Sequence, residues 1–393
     1  MKRTLYLAWH YLAFHRLKTA ILVTSITLIV YLPVGLKVLV DQSSRQLTAR
    51  AQATPLIVGA KGSPLELTLN TLYFAADYPE PLRYVQATRV DRTGLALAIP
   101  MYVRFHSQGY PIVGTSFDYF EYRGLRVESG RQLAMLGECV LGSRVAAAIG
   151  AEPGDYVISS PESVFDLAGV YPLRMRVAGV LEFSDSPDDD AIFVDIKTAW
   201  IIEGLGHGHQ DLTRPEAASA VLSREENRVV ANASVVQYNE ISEENIESFH
   251  FHGDVSDYPI TAVVAVPLDQ KSSALLQGRY QASDDLAQIV RPVTVMDELL
   301  GTILTVQSFI TAGAVIVGLA TLATMALVFM LSLRLRRRER ETLFKIGGSR
   351  LSVGSVMASE IVVVLFTGVI LAGVLTALTS QFGSAAIRAL VRM

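Results

Sequence analysis

Three stretches of this chain leave little choice of environment: Ala20 to Val40, Ile303 to Leu333 and Val356 to Thr379 are apolar almost without interruption. Each reaches the roughly 20 residues that a helix needs to cross about 30 Å of hydrocarbon. A backbone in lipid must satisfy its own hydrogen bonds, so the runs are expected as membrane helices. Between the first and the second lie about 260 residues of ordinary globular composition. The chain of 393 residues, half of them hydrophobic, is therefore divided between bilayer and water.

Charge gives the orientation. The first 18 residues carry Lys2, Arg3, Arg16 and Lys18 and no acid, and Arg334 to Arg350 holds seven Lys and Arg against Glu339 and Glu341. Basic flanks stay in the cytoplasm. From Asp41 to Leu300 there are 20 Lys and Arg against 35 Asp and Glu, a net charge of -15. That acidic segment belongs outside, and its charge argues against nucleic acid as a partner. Cys139, the single cysteine, permits no intrachain disulfide, which a domain of this size does not need.

The expected fold class is an integral membrane α-helical protein with a large extracytoplasmic α+β domain, in two lobes, inserted between the first and second transmembrane helices. Its parts are a cytoplasmic interfacial amphipathic helix over 1–18, transmembrane helix 1 over 19–40 and the extracytoplasmic domain over 41–300. A stalk and transmembrane helix 2 follow over 301–333, a cytoplasmic coupling loop over 334–355, transmembrane helix 3 over 356–380 and a tail over 381–393. Leu5, Trp9, Leu12 and Leu17 give the first segment its apolar stripe. Ala51-Gln52-Ala53 would suit a signal peptidase, but the leading segment and the first apolar run are too long for a signal peptide, so the first helix is expected to be retained.

Within the outer domain, Leu56 to Leu69 reads as a short strand, a turn and a second, alternating strand. Strands are also expected at Leu95 to Arg104, Tyr110 to Gly114, around Leu173 to Val177 and at Pro259 to Leu268. Short helices are expected at Ser143 to Ile149, leaving through Gly150, and at Ser272 to Arg279. Thr213 to Glu247 is polar and weakly patterned. Gly301 to Leu333, as one helix, would be about 50 Å long against roughly 30 Å of hydrocarbon. The surplus is expected to stand above the membrane as a stalk or to be absorbed by tilt.

In the basic loop, Leu343, Phe344 and Ile346 are apolar among charges, and Gly347-Gly348 can end a short helix before Ser349 and Arg350. Such a helix suits a groove on a partner, or a membrane surface with its arginines at lipid phosphates. These residues, with AWHYLAFHRLKTA before the first membrane helix, RRRERETLFKIGGSR before the third, and VGAKGSPL, ECVLGSRVAAAIGAEPGDYV, RMRVAGVLEF and AIFVDIKTAW in the outer domain, resemble the FtsX/MacB-type ABC transporter permeases.

The resemblance implies a bacterial inner-membrane, multi-pass permease subunit of the mechanotransmission type. It implies a homodimer or a heterodimer with a second permease, a separate cytoplasmic ABC ATPase that binds the ATP and Mg, membrane lipid around the helices and, for export, a periplasmic adaptor. Arg340 to Arg350 would dock on that ATPase, making Arg340, Leu343, Phe344, Ile346, Gly347, Gly348, Ser349 and Arg350 the coupling residues. The substrate class would be hydrophobic, peptidic or lipoprotein, exported or extracted. An FtsX-like signalling subunit that activates an outer partner without transport is the alternative, and a membrane-anchored metal or ligand receptor a weaker one. The family usually has a fourth membrane helix, whereas this sequence runs only about a dozen residues past the third, so the tail is expected to fold back as an outer interfacial helix, or a fourth helix to come from elsewhere or to be missing.

Other candidates are few. Glu360 sits about one turn inside the third helix, where a carboxylate requires a partner, so a structural ion pair is expected. His207-x-His209 and His250-x-His252, with Asp188, Asp189 and Asp190, have residue types that bind metals. Gly206 and Gly208 make the first pair read as a loop, and no third ligand is fixed by spacing, so solvated polar loops are the default and no metal is assigned. No Walker spacing occurs, GAKGS being turn chemistry, and no catalytic triad stands out, so the chain is not expected to be an enzyme or to hold a cofactor of its own.

Overall fold

The computed structural model describes residues 6, 9–10, 12–75, 78–160, 172–208, 221–225, 228–231, 240–282, 286–335, 341 and 350–391. They divide into two units, Arg50–Met296 and the remainder, Met1–Ala49 with Asp297–Met393.

The first long helix is α1 (Arg16–Gln52), followed by β1 (Leu56–Ala60), α2 (Pro64–Tyr73), β2 (Leu82–Arg83), α3 (Val85–Arg92), β3 (Ala96–Ser107) and β4 (Tyr110–Thr115). Next come α4 (Phe117–Arg123), β5 (Val127–Gly130), β6 (Glu138–Leu141), α5 (Ser143–Ile149), β7 (Tyr156–Ile158) and β8 (Arg174–Leu181). A 3-10 turn at Pro187–Asp190 leads to β9 (Ile192–Asp195), α6 (Ile196–Ile202) and β10 (Gly206–Gly208). After β11 (Val221–Glu225), β12 (Arg228–Ala231), β13 (Phe249–Phe251), β14 (Pro259–Ile260) and β15 (Ala262–Pro267), α7 (Gln270–Gln281) and β16 (Ala287–Val290) complete this series. The last two helices are α8 (Pro292–Leu335) and α9 (Arg350–Val391).

One ten-stranded sheet organises the Arg50–Met296 unit, in the order β16-β1-β15-β3-β4-β9-β6-β8-β5 with β7 on β8. Most neighbours are antiparallel, with Ile57 opposite Val264 and Cys139 opposite Val194. The β4–β9 and β6–β8 pairs are parallel. The central residues Ile57, Val58, Ile112, Phe193 and Val263 are fully buried. Such strands read as continuous apolar runs because both faces are covered. Trp200 on α6 seals one face: its indole N–H donates to the Pro259 carbonyl at 2.7 Å, and its ring meets Tyr84 and Tyr258 edge to face. Among the described residues, this sheet is the organising element of the unit.

Pro64–Tyr73 is helical, not the second strand that its alternation suggested. The Ser63 hydroxyl caps it by accepting from the Glu66 N–H at 3.2 Å, Pro64 opens it, and Phe74 ends it in the left-handed region. Capping and a proline at the first helical position outweigh a short period-two pattern. At the helix predicted over Ser143 to Ile149, Gly150 ends α5 with φ of 67°, the conformation its backbone allows at no steric cost.

Among the described residues of the other unit, three helices include stretches long and apolar enough to cross a membrane: Arg16–Gln42, Pro292–Thr324 and Ala358–Gly383. α1 and α9 pack closely where Gly368 faces Ile26. Thr27 donates to the Gly368 carbonyl at 3.2 Å and Tyr31 bonds Thr379 at 2.8 Å. Small residues and interhelical hydrogen bonds of this kind hold helices together in lipid. Helix α9 begins at Arg350 and runs to Val391, so residues assigned from sequence to the coupling loop and the tail are partly helical.

Candidate functional site

Among the described residues of the Arg50–Met296 unit, a densely hydrogen-bonded polar site joins the last turn of α1 to the acidic 3-10 turn. Arg50 donates from Nη1 to Asp188 Oδ2 at 2.7 Å and from Nη2 to Asp188 Oδ1 at 2.9 Å, a two-pronged pair. It also donates to the Leu72 carbonyl and to Tyr119 Oη, and Tyr119 donates in turn to Asp188 Oδ1 at 2.6 Å. The two charged side chains are only 8% and 3% exposed. Burial pushes the Asp188 carboxyl up, but the Arg50 guanidinium and the Tyr119 hydroxyl reverse this and hold it below the usual carboxylate range. Burial and the neighbouring carboxylate push the Tyr119 phenol up, so it stays a donor.

The rest of the turn is equally committed. Asp189 accepts from Ser143 Oγ at 3.1 Å and from the Ser184 and Ser186 N–H groups at 2.9 and 3.1 Å, while Asp190 pairs with Arg144 at 2.9 Å. Asp188 and Asp189 are buried. The sequence reading of Asp188, Asp189 and Asp190 as solvated loop is corrected for the first two: their carboxylates are internal struts, spent on an arginine and on serine and backbone donors. Gly142 is required beside them, because a Cβ there would collide with the Asp188 and Asp189 carbonyls. Nothing local in the sequence marks Arg50 or Tyr119, since their partner lies 138 and 69 positions away.

The histidines are better organised than their sequence suggested. Gly206 to Gly208 is a strand, not a loop, and its register sets His207 opposite His250. Gly206 and Gly208 lie under the Phe251 and Phe249 rings, where added Cβ atoms would fall 2.7 and 2.6 Å from ring carbons. Period-two alternation therefore puts Gly and Phe on one face and His on the other. His252 joins them, and His209 lies outside the described residues.

Cys139 is fully buried in β6, where burial pushes its thiol up and makes it unreactive. A concavity of about 190 Å³ is lined by Phe117, Leu133, Met135, Leu136, Asp195 and Lys197, which is small for burying a drug-sized ligand. Of the coupling residues, Arg340, Leu343, Phe344, Ile346, Gly347, Gly348 and Ser349 lie outside the described residues, and Arg350 opens α9. Glu360 is buried on α9 and is not left unpartnered.

An α+β domain of this kind, flanked in the chain by apolar helices, defines a membrane protein with an extracytoplasmic domain. Residues 19–234 match the MacB-like periplasmic core domain family. This chain belongs to that family, and so to the MacB/FtsX-type permeases of ABC transporters, which implies a cytoplasmic ATPase partner. No curated protein sequence matches it. Among solved structures it is similar to the periplasmic region of MacB from Actinobacillus actinomycetemcomitans, at 13% identity over 63% of this chain and 94% of that one, with a TM-score of 0.35. It is also similar to the extracellular domain of the noncanonic ABC-type transporter YknZ from Gram-positive bacteria, at 11% identity over 60% of this chain and 98% of that one, with a TM-score of 0.31.

Proposed function

We propose that this chain is the permease subunit of a mechanotransmission ABC transporter of the bacterial inner membrane. ATP hydrolysis belongs to a separate subunit, because the chain has no Walker spacing, and its work reaches the outer domain as movement. The observation that carries the reading is the family match over residues 19–234, joined to a basic segment, Arg334 to Arg350, between the second and third apolar runs. In this reading the chain dimerises, Leu343, Phe344 and Ile346 grip the ATPase, and Arg340 and Arg350 flank that grip. The outer domain exports or extracts a hydrophobic, peptidic or lipoprotein substrate, with a periplasmic adaptor where export crosses a second membrane.

The buried Arg50–Asp188 pair supports the mechanical part. The chain enters the outer domain through Arg50, the last cation of α1, and the guanidinium is bound there by four hydrogen bonds to the 3-10 turn, α4 and the end of α2. A pull along α1 would be met by the folded core and not by a loop.

The test is co-purification with the cognate ATPase and its turnover in lipid nanodiscs. Phe344→Glu with Ile346→Glu should abolish co-purification and reduce turnover to that of the ATPase alone, because two buried charges at an interface core cost several kcal/mol. Unchanged binding and turnover in the double variant would refute the coupling site.

A further inference from the structure

We propose that His207, His250 and His252 form a binding site for a divalent cation of the zinc class. The ribbon of β10 and β13 is antiparallel, with His207 and His250 directly opposed, and His252 follows two residues on and so faces the same side. The three imidazoles are partly or fully exposed, and their ligand nitrogens all lie within 4.8 Å of one another. Ring centroids are 4.8 to 5.1 Å apart.

Two details favour a cation over a chance cluster. His250 Nδ1 lies 3.0 Å from the Ser248 carbonyl. A carbonyl only accepts, so Nδ1 is the donor and Nε2 is the nitrogen turned to a ligand, the arrangement by which a second partner orients a metal-binding histidine. His252 Nε2 lies 3.3 Å from His207 Nε2. Two nitrogens bound to a tetrahedral zinc at about 2.05 Å are separated by about 3.3 Å, so these two atoms already have the spacing of a ligand pair. In the metal-free protein one of them donates to the other. When the cation binds, that proton moves to the Nδ1 of the same ring, both Nε2 lone pairs turn to the metal, and no redox step is needed. A tilt of the His250 ring about its Ser248 hydrogen bond brings in the third nitrogen.

The site is held before the ion arrives. Phe249 and Phe251 pack over Gly208 and Gly206 and fix the ribbon from its other face. Tyr258 Oη donates to the His252 carbonyl at 2.7 Å, anchoring the segment after β13. Three imidazoles on one face leave the fourth position of a tetrahedral ion for water or for a donor from another molecule. Imidazole nitrogens without thiolates suit Zn²⁺, Cu²⁺ and Ni²⁺ and do not suit Ca²⁺ or Mg²⁺, which require oxygen. The site is independent of the transport reading and would exist whether or not that reading holds.

The experiment uses the full chain in lipid nanodiscs, purified without a polyhistidine tag, stripped with a chelator and titrated with Zn²⁺ alone. Expected is about one tightly held zinc per chain that survives gel filtration, retained in His106→Ala and lost in His250→Ala with His252→Ala. X-ray absorption of the zinc-loaded wild type should show three imidazole nitrogens at about 2.0 Å. That measurement needs no variant to fold. Equal zinc content in wild type and double variant, no retained zinc in the wild type, or a first shell with fewer than three imidazoles would overturn the proposal.

Discussion

Replacing Arg50 with Met should destabilise the outer domain by about 3–5 kcal/mol, the usual cost of removing one partner of a buried ion pair. The guanidinium makes two hydrogen bonds to Asp188, one to the Leu72 carbonyl and one to Tyr119. Methionine fills the volume of the stem and replaces none of them. The Tyr119 hydroxyl at 2.6 Å and the Ser186 hydroxyl at 3.0 Å remain, so Asp188 keeps two donors and loses its paired counter-charge. For a domain of roughly 150–250 residues each kcal/mol moves the unfolding midpoint by about 2–4 °C, so the midpoint should fall by about 6–20 °C. Trp200 reports this directly, since it is buried and is one of only two tryptophans, the other being Trp9, which can be changed to Phe. Acidification separates this cause from a generic packing defect. In the wild type the folded pKa of Asp188 lies below its unfolded value of about 3.9, so its contribution is whole above that value and is lost as the pH falls through the folded one. In the variant burial acts without the guanidinium and raises the carboxyl, so the variant gains stability as the pH falls from about 7 toward about 4. The difference between the two proteins should therefore shrink on acidification, and Arg50→Met with Asp188→Leu should recover most of the loss. A difference below about 1 kcal/mol at neutral pH, or one that grows on acidification, would refute the assignment of Arg50 as the counter-charge.

Gly142→Ala should cost about 1–3 kcal/mol in the same unfolding measurement, because its Cβ meets two backbone carbonyls of the Asp188 turn that have no rotamer to yield. An unchanged midpoint would mean that the turn is not packed against Gly142. Gly368→Leu should lower the thermal midpoint of the detergent-solubilised chain by an amount corresponding to about 1–3 kcal/mol, since even a Cβ would lie 2.7 Å from Ile26 Cγ2. The same midpoint in both proteins would argue against the α1–α9 packing.

The fold was legible where a residue's neighbours in the chain decide its state. Apolar run length fixes the three candidate spans, and Gly150 after Ser143–Ile149 fixes a helix end, because both are local steric or solvation facts. Pro64–Tyr73 shows how two local signals compete. Leu65, Leu67 and Leu69 alternate as a strand would, yet Ser63, Pro64 and Glu66 carry helix-start chemistry, and the burial of Leu67 and Leu72 is met by a helical face as well as by a strand face. The single ten-stranded sheet was hidden because its order depends on pairings such as β1 with β15, in which Leu56 meets Ala265.

The sites were illegible for a related physical reason: a side chain's protonation and partners follow from burial, and burial is a property of the assembled domain. Three consecutive aspartates look like a hydrated turn, because three like charges repel and water screens them. Asp188, Asp189 and Asp190 escape that repulsion by facing donors spread around the turn: Arg50 from the end of α1 on Asp188, Ser143 at the start of α5 on Asp189, and Arg144 on Asp190. The same logic governs the histidines in the opposite direction. The glycines around His207 suggested a loop on the assumption that glycine weakens strands, but here each glycine makes room for a phenylalanine ring from β13. What fixes the strand is therefore the partner's side chain, and the consequence is that Gly-His-Gly opposite Phe-His-Phe collects imidazoles on one face. A glycine within a strand should accordingly be tested against the bulk of the residue across from it before it is taken as a break.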